Sequence, residues 1–357
     1  MLIRCVVLIA MSISFHSELA AEQPVPAKYS VPRHVSAEAQ AILSRPVLME
    51  GRLVRPSSSE QWQQLKRQQS LRVQPQIELL KSAPINIKRT EMGGVTVRIL
   101  TPEQIPAAKQ DKVLIGLHGG AYVFFGGEAS VLEAANIALA GQYKVIAVDY
   151  RMPPEHPFPH AVNDAVAVYK AVLETTAAEN IAVFGTSAGG SLTASMIVSA
   201  RDQGLPLPAA AYMNTPWSDL SKTGDSYVTN EAVDPVLPVY GGALAAAAEV
   251  YADVAGLKHP LVSPVYADYS QGFPPSLLIT GTRDLLLSST VRLHRVLREA
   301  GVNADLHVFD AMWHAFTANI DMPEAQRAQR LVIDFLDTQL LASSATRPAS
   351  IAKLPKK

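Results

Sequence analysis

One cysteine in 357 residues is the scarcest feature of this sequence, and it lies at position 5. A fold held by disulfides or by a cysteine-ligated metal cluster needs several, so both are excluded. An excess of either charge is lacking too. The formal net charge is −1, which argues against a nucleic-acid or anionic-membrane surface. There is no internal repeat and no long low-complexity tract. Beyond the amino terminus no apolar run is long enough to span a bilayer. What is present is a hydrophobic content of 48%, the composition of a well-cored globular protein.

The amino terminus stands apart. Met1-Leu2-Ile3-Arg4 carries one positive charge, residues 5–15 are apolar, and Leu19-Ala20-Ala21 offers small residues for cleavage. Residues 1–21 therefore read as an export signal, implying a periplasmic or secreted protein. A first cap helix or a retained anchor fits less well, because the run is too short to cross a membrane.

Residues 22–90 are rich in Pro, Gln and Arg, with a helix-like piece at 59–69, and are expected to form cap helices and a linker. From Val95 the pattern changes. Residues 95–100 alternate like a half-buried strand, and 113–117, 145–148, 181–184, 209–213, 276–280 and 306–309 read as further strands. Helical spacing of apolar residues occupies 161–173, 288–300 and 323–341 between and after them. Continuous apolar strands alternating with helices predict an α/β fold, a mostly parallel sheet flanked by helices, over 91–345. The interval 215–263 interrupts that alternation with Pro, Gly, Asp and Tyr and an alanine-rich helix at 242–251. An excursion of that length predicts a helical cap. Residues 346–357 are left as a tail.

Gly185-Thr186-Ser187-Ala188-Gly189-Gly190 follows the buried run 181–184 and precedes a helical segment. A G-x-S-x-G between strand and helix is the elbow that lifts a nucleophilic serine above a sheet. Its usual chain order is Ser, then Asp or Glu, then His. Of the nine histidines, His294, His307 and His314 follow the insertion. His294 lies in a helix between arginines and His307 lies inside a strand. His314 follows the strand 306–309 and so falls at the edge where Ser187 sits, which fits a general base. Asp284 follows the strand 276–280 at the same edge and is the favoured acid; Asp310 is its rival. Backbone donors for a developing oxyanion are expected on the turn His118-Gly119-Gly120-Ala121-Tyr122, which follows the strand 113–117. Tyr122, Phe124 and Phe125 are candidate walls of a substrate pocket, with core packing expected for at least one of them.

Four blocks together carry a family resemblance: His118 to Tyr122, the run 149–159 (Asp149-Tyr150-Arg151-Met152-Pro153-Pro154-Glu155-His156-Pro157-Phe158-Pro159), residues 185–190, and Asp284 with His314. The chain resembles the hormone-sensitive-lipase-like esterases of the α/β-hydrolase fold, the subgroup with Gly-Thr-Ser-Ala-Gly-Gly. The resemblance implies that Ser187 is the nucleophile, His314 the base and Asp284 the orienting acid. It implies oxyanion donors at Gly119, Gly120, Ala121 and Ala188, and a supporting role for the run 149–159. Ala121 stands where a third glycine is commoner, implying a narrower acyl pocket. Such an enzyme needs neither metal nor organic cofactor. Its expected partner is a small ester of short to medium acyl length, or a lactone handled by the same three groups. Nucleic acid and a stable membrane span are not expected; relatives dimerise, so a dimer is possible here. A non-catalytic small-molecule receptor of this fold is a third reading, disfavoured because such receptors lose the histidine that stands here as His314.

Overall fold

The computed structural model describes residues 30–341 apart from 48, 50 and 51. The expected signal at 1–21 and the tail at 346–357 lie outside these residues. Eight strands form one sheet: β1 (Ile85–Met92), β2 (Val95–Pro102), β3 (Val113–Leu117), β4 (Lys144–Val148), β5 (Ile181–Thr186), β6 (Ala210–Asn214), β7 (Ser276–Gly281) and β8 (Ala304–Phe309). The helices are α1 (Ala37–Leu43), α2 (Ser59–Leu80), α3 (Leu132–Gly141), α4 (His160–Leu173), α5 (Ala188–Asp202), α6 (Ser226–Thr229), α7 (Ala243–Ala252), α8 (Leu287–Glu299) and α9 (Pro323–Leu341).

The spatial order is β1-β2-β4-β3-β5-β6-β7-β8. The first two pairings, β1 with β2 and β2 with β4, are antiparallel, and every later pairing is parallel. This is the mostly parallel, helix-flanked sheet that the strand and helix pattern predicts. Every residue of β3, β5, β6 and β7 is buried, as continuous apolar runs require when helices cover both faces. Successive side chains serve opposite layers. Val113, Ile115 and Leu117 pack with α4, α5 and α8, while Leu114 packs with α3 and α9.

Two elements depart from the sequence reading. The sheet begins with β1, which pairs with β2 along its whole length from Ile85 opposite Pro102 to Met92 opposite Val95. Most of β1 is exposed, so its polar composition gives no buried-strand signal. Helix α2 runs on through Pro75 to Leu80, well past 69. Ser58 caps its start, and Trp62, Leu65, Gln69, Val73, Ile77 and Leu80 form a buried stripe along it. That stripe outweighs the hydrogen bond lost at the proline.

The roof over the carboxyl ends of the strands comes from two stretches of chain. Trp62 and Leu65 of α2 and Ala246 and Ala247 of α7 enclose Val123 and Phe124, just after the Gly119-Gly120 turn. Among the described residues no helix is long and apolar enough to cross a membrane.

Candidate active site

Strand β5 ends at Thr186, and helix α5 begins at Ala188. Ser187 between them has φ 59° and ψ −122°, a conformation that costs free energy for any residue with a side chain. It is pinned on both sides. Its N–H donates to the Asn214 carbonyl at 2.9 Å, and its own carbonyl accepts from Ser191 at 3.1 Å and Trp217 at 3.0 Å. The helix can come this close only because position 189 is glycine: a Cβ there would lie 1.9 Å from the Leu117 carbonyl oxygen.

Ser187, His314 and Asp284, the residues singled out from the sequence, meet at this point. His314 Nε2 lies 3.0 Å from Ser187 Oγ, and His314 Nδ1 lies 3.0 Å from Asp284 Oδ1. A carboxylate can only accept, so Nδ1 carries the proton and the Nε2 lone pair faces the serine hydroxyl, which donates to it. Asp284 is fully buried. It also accepts the Leu286 N–H and the Thr280 hydroxyl, each at 2.8 Å. Burial opposes charge on His314, but Asp284, its hydrogen bond and Asp234 behind it outweigh burial and raise the histidine pKa.

The rival residues are elsewhere. Asp310 pairs with His34 at 2.7 Å on the surface and accepts from the Thr282 hydroxyl at 3.2 Å. His294 contacts the Ala304 carbonyl, and His307 lies opposite Ile279 inside the sheet.

The Gly119-Gly120-Ala121 turn sits against the serine. A Cβ on Gly119 would fall 3.5 Å from Ser187 Cβ. Gly120 (φ 107°), Ala121 (φ 52°) and Tyr122 (φ 65°) are all left-handed, and Phe124 and Val123 donate back to the Gly120 carbonyl. The turn thus lies beside Ser187, next to the start of helix α5 at Ala188. His118 braces this turn. Its ring stacks on Tyr150 at 4.1 Å, and its Nδ1 lies 2.7 Å from the Gly119 carbonyl. Burial pushes its pKa down, so it stays neutral. Tyr150 in turn donates to the His118 carbonyl at 2.7 Å. Asp149 joins Arg98 at 2.9 Å and the Gly127 N–H at 2.8 Å, so the run 149–159 does support the loop.

A family described as alpha/beta hydrolase fold matches residues 114–318. An acetyl-hydrolase of Streptomyces hygroscopicus is 34% identical over 247 residues, 68% of this chain and 82% of the relative. An esterase of Acinetobacter venetianus is 31% identical over 70% of this chain and 82% of its own length. Among solved structures, esterase E25 superposes with a TM-score of 0.84 at 39% identity, covering 90% of this chain and 99% of that one. An esterase of the bacterial hormone-sensitive lipase family gives 0.72 at 31% identity, covering 85% and 99%. The chain is a hormone-sensitive-lipase-like esterase of the α/β-hydrolase fold.

A cavity in the esterase opens onto Ser187 and His314 and is lined by Gly119, Gly120, Ala121, Phe124 and Phe125, with Val236, Leu237 and Leu244 from the insertion after β6. Tyr122 corrects the expectation that it is a pocket wall. Its left-handed backbone turns the ring into the core, where it stacks on Tyr251 with centroids 3.6 Å apart and is wholly buried. It lines no part of the cavity.

Two carboxyl groups of the esterase escape the sequence reading, one fully buried and one half-buried at the cavity wall. Asp234, within the insertion, is fully buried. Its Oδ2 accepts the N–H groups of Leu285 and His314, both at 3.0 Å. Its Oδ1 accepts those of Val236 at 2.8 Å and Leu237 at 2.9 Å. One carboxylate therefore ties together the loop of the acid, the loop of the base and the insertion. Burial and the nearby Asp284 push its pKa up, while the four donors hold its charge in place. Glu133 of α3 is the second. It accepts the hydroxyl of Thr186, and burial pushes its pKa up to about 7. The N–H groups of Leu285 and His314 that Asp234 binds lie far along the chain, as does Thr186 from Glu133, so local spacing does not reveal these links.

Proposed function

We propose that the esterase hydrolyses short to medium acyl esters through an acyl-enzyme formed on Ser187. As Ser187 Oγ attacks the ester carbonyl carbon, its proton passes to His314 Nε2. The C=O electron pair moves onto oxygen, which sits under the N–H groups of Gly119, Gly120, Ala121 and Ala188. Asp284 keeps the imidazole in the required tautomer and stabilises its charged form. The tetrahedral intermediate collapses, and the C–O bond to the alcohol breaks as His314 returns the proton to the leaving oxygen. Water then attacks the acyl-enzyme carbonyl, losing its proton to His314. Ser187 leaves with that proton, and the carboxylic acid is released. Donors fixed in advance where charge develops are typically each responsible for about 3 to 4 kcal/mol of barrier lowering.

The observation that carries this reading is the pair of 3.0 Å contacts joining Ser187, His314 and Asp284 beneath the glycine turn. The test is hydrolysis of p-nitrophenyl butyrate together with labelling by a fluorophosphonate. The wild type is expected to turn over the ester and to take up one equivalent of label on Ser187. Ser187→Ala is expected to lose both, with kcat down on the order of 10⁶-fold. Full activity in that variant would remove Ser187 from the mechanism, and unlabelled folded protein would favour a receptor.

A further inference from the structure

The cavity has two unlike ends. Beneath the roof its walls are Val236, Leu237 and Leu244. Toward α3 and α9 apolar walls from Ala129, Leu132, Ile137, Ala318 and Val332 surround a polar group of Glu133, Asn136, Thr186, Tyr212, Thr317 and Gln329. These groups are organised. Thr186 donates to Glu133 and accepts from Asn214 Nδ2 at 2.9 Å, and that same amide donates to Thr317 at 2.7 Å. The chain of hydrogen bonds passes through Thr186, the residue immediately before Ser187. None of the hydrolytic steps above uses Glu133. No lysine or arginine lines the cavity.

An alkyl stem can lie along the apolar walls, but one that ended against Glu133 and Thr317 would take water from those groups and give nothing back. A tail ending in a carboxylate would meet the Glu133 carboxyl with no cation to offset it. A hydroxyl both donates and accepts, is small, and replaces the lost water one for one. We propose, building on the esterase reading above, that this lobe is a subsite for a short ester substituent ending in a hydroxyl, with Glu133 as the residue that recognises it. The carboxyl, poised near neutrality, can donate to the hydroxyl or accept from it.

The experiment compares kcat/KM for ethyl butyrate, ethyl 4-hydroxybutyrate, 2-hydroxyethyl butyrate and monoethyl succinate. The second ester carries the hydroxyl on the acyl side and the third on the alcohol side, so the pair reports which substituent enters the lobe. One of them is expected to exceed ethyl butyrate by roughly tenfold, the scale of one hydrogen bond left unmade. Monoethyl succinate is expected to fall at least as far below. In Glu133→Leu the hydroxyl preference should drop to about one, whereas Glu133→Gln, which still donates and accepts, should keep most of it. If the leucine variant does not fold, Thr317→Val should lower the same ratio by a few fold. Equal rates for all three uncharged esters, or a preference that survives both Glu133→Leu and Thr317→Val, would overturn the subsite while leaving the esterase intact. No turnover of ethyl butyrate or of p-nitrophenyl butyrate by the wild type would overturn the hydrolytic reading, and this one with it.

Discussion

Ser187 lies between two acidic regions that are built on different terms. On the His314 side, Asp284 and Asp234 are saturated with donors. Asp284 accepts from a ring N–H, a hydroxyl and a backbone N–H, and Asp234 from four backbone N–H groups. On the Thr186 side, the hydroxyl of Thr186 is the side-chain donor to Glu133, and burial drives the carboxyl toward neutrality. Donors supplied by the protein fix a charge and, with it, a geometry. Glu133, whose named donors both belong to Thr186, has its pKa raised by desolvation, and as part of the cavity wall it can answer what enters. One side is made for rigidity and the other for response.

Mutating each side in turn tests the contrast. Asp284→Asn should be the most damaging of these changes. The amide would present a donor to Nδ1–H, favour the wrong tautomer and reduce kcat by roughly 10⁴-fold, measurable with p-nitrophenyl butyrate on folded protein. Asp234→Asn should cost about 10- to 100-fold in kcat, because at least some of four aligned N–H groups lose their acceptor and both loops loosen; a lower melting temperature should accompany it. The pH profile separates an electrostatic role from a purely structural one. The base must be neutral to act, so kcat/KM should rise with pH to a midpoint above about 6.5, the ordinary histidine value. Since Asp284 and Asp234 both raise the His314 pKa, Asp234→Asn should move that midpoint down.

The smallest effect belongs to Glu133. Its folded pKa of about 7 lies above the ordinary 4.5, so the unfolded chain gives up the proton first. The stabilisation is complete below about 4.5 and is lost as pH rises toward 7. Thermal melts at pH 5 and pH 8 should differ less for Glu133→Gln than for the wild type. An unchanged difference would mean that Glu133 is already ionised at pH 5.

The sheet, its order of reacting groups and the glycine turn were legible because each is written locally. A strand is a run of apolar residues, a sharp turn needs glycine, and the sequence order of serine, acid and base follows from strand ends. Asp284 over Asp310 was legible for the same reason, since each follows a different strand. Tyr122 was misread because residue type does not say which way a left-handed backbone turns a ring. The exposed strand β1 lacked the apolar signature, and Pro75 hid the second half of α2. Asp234 and Glu133 stayed invisible for a different reason. The partners that link them to the site, the N–H groups of Leu285 and His314 and the Thr186 hydroxyl, are 51 to 80 residues away, and nothing in an isolated Asp-Pro or a helical Glu announces them.

Asp234 also bears on how this protein could be rebuilt. The stretch between β6 and β7 looks like an interchangeable module, a loop to be shortened, randomised or exchanged for one with another preference. Yet it carries the acceptor for the backbone N–H of His314. A chimera that swaps the whole insertion would import a new pocket and lose a strut of the old machinery in the same cut. Splice points placed after Leu237 and before β7 would keep the strut, so variation in preference could be explored without disturbing the base.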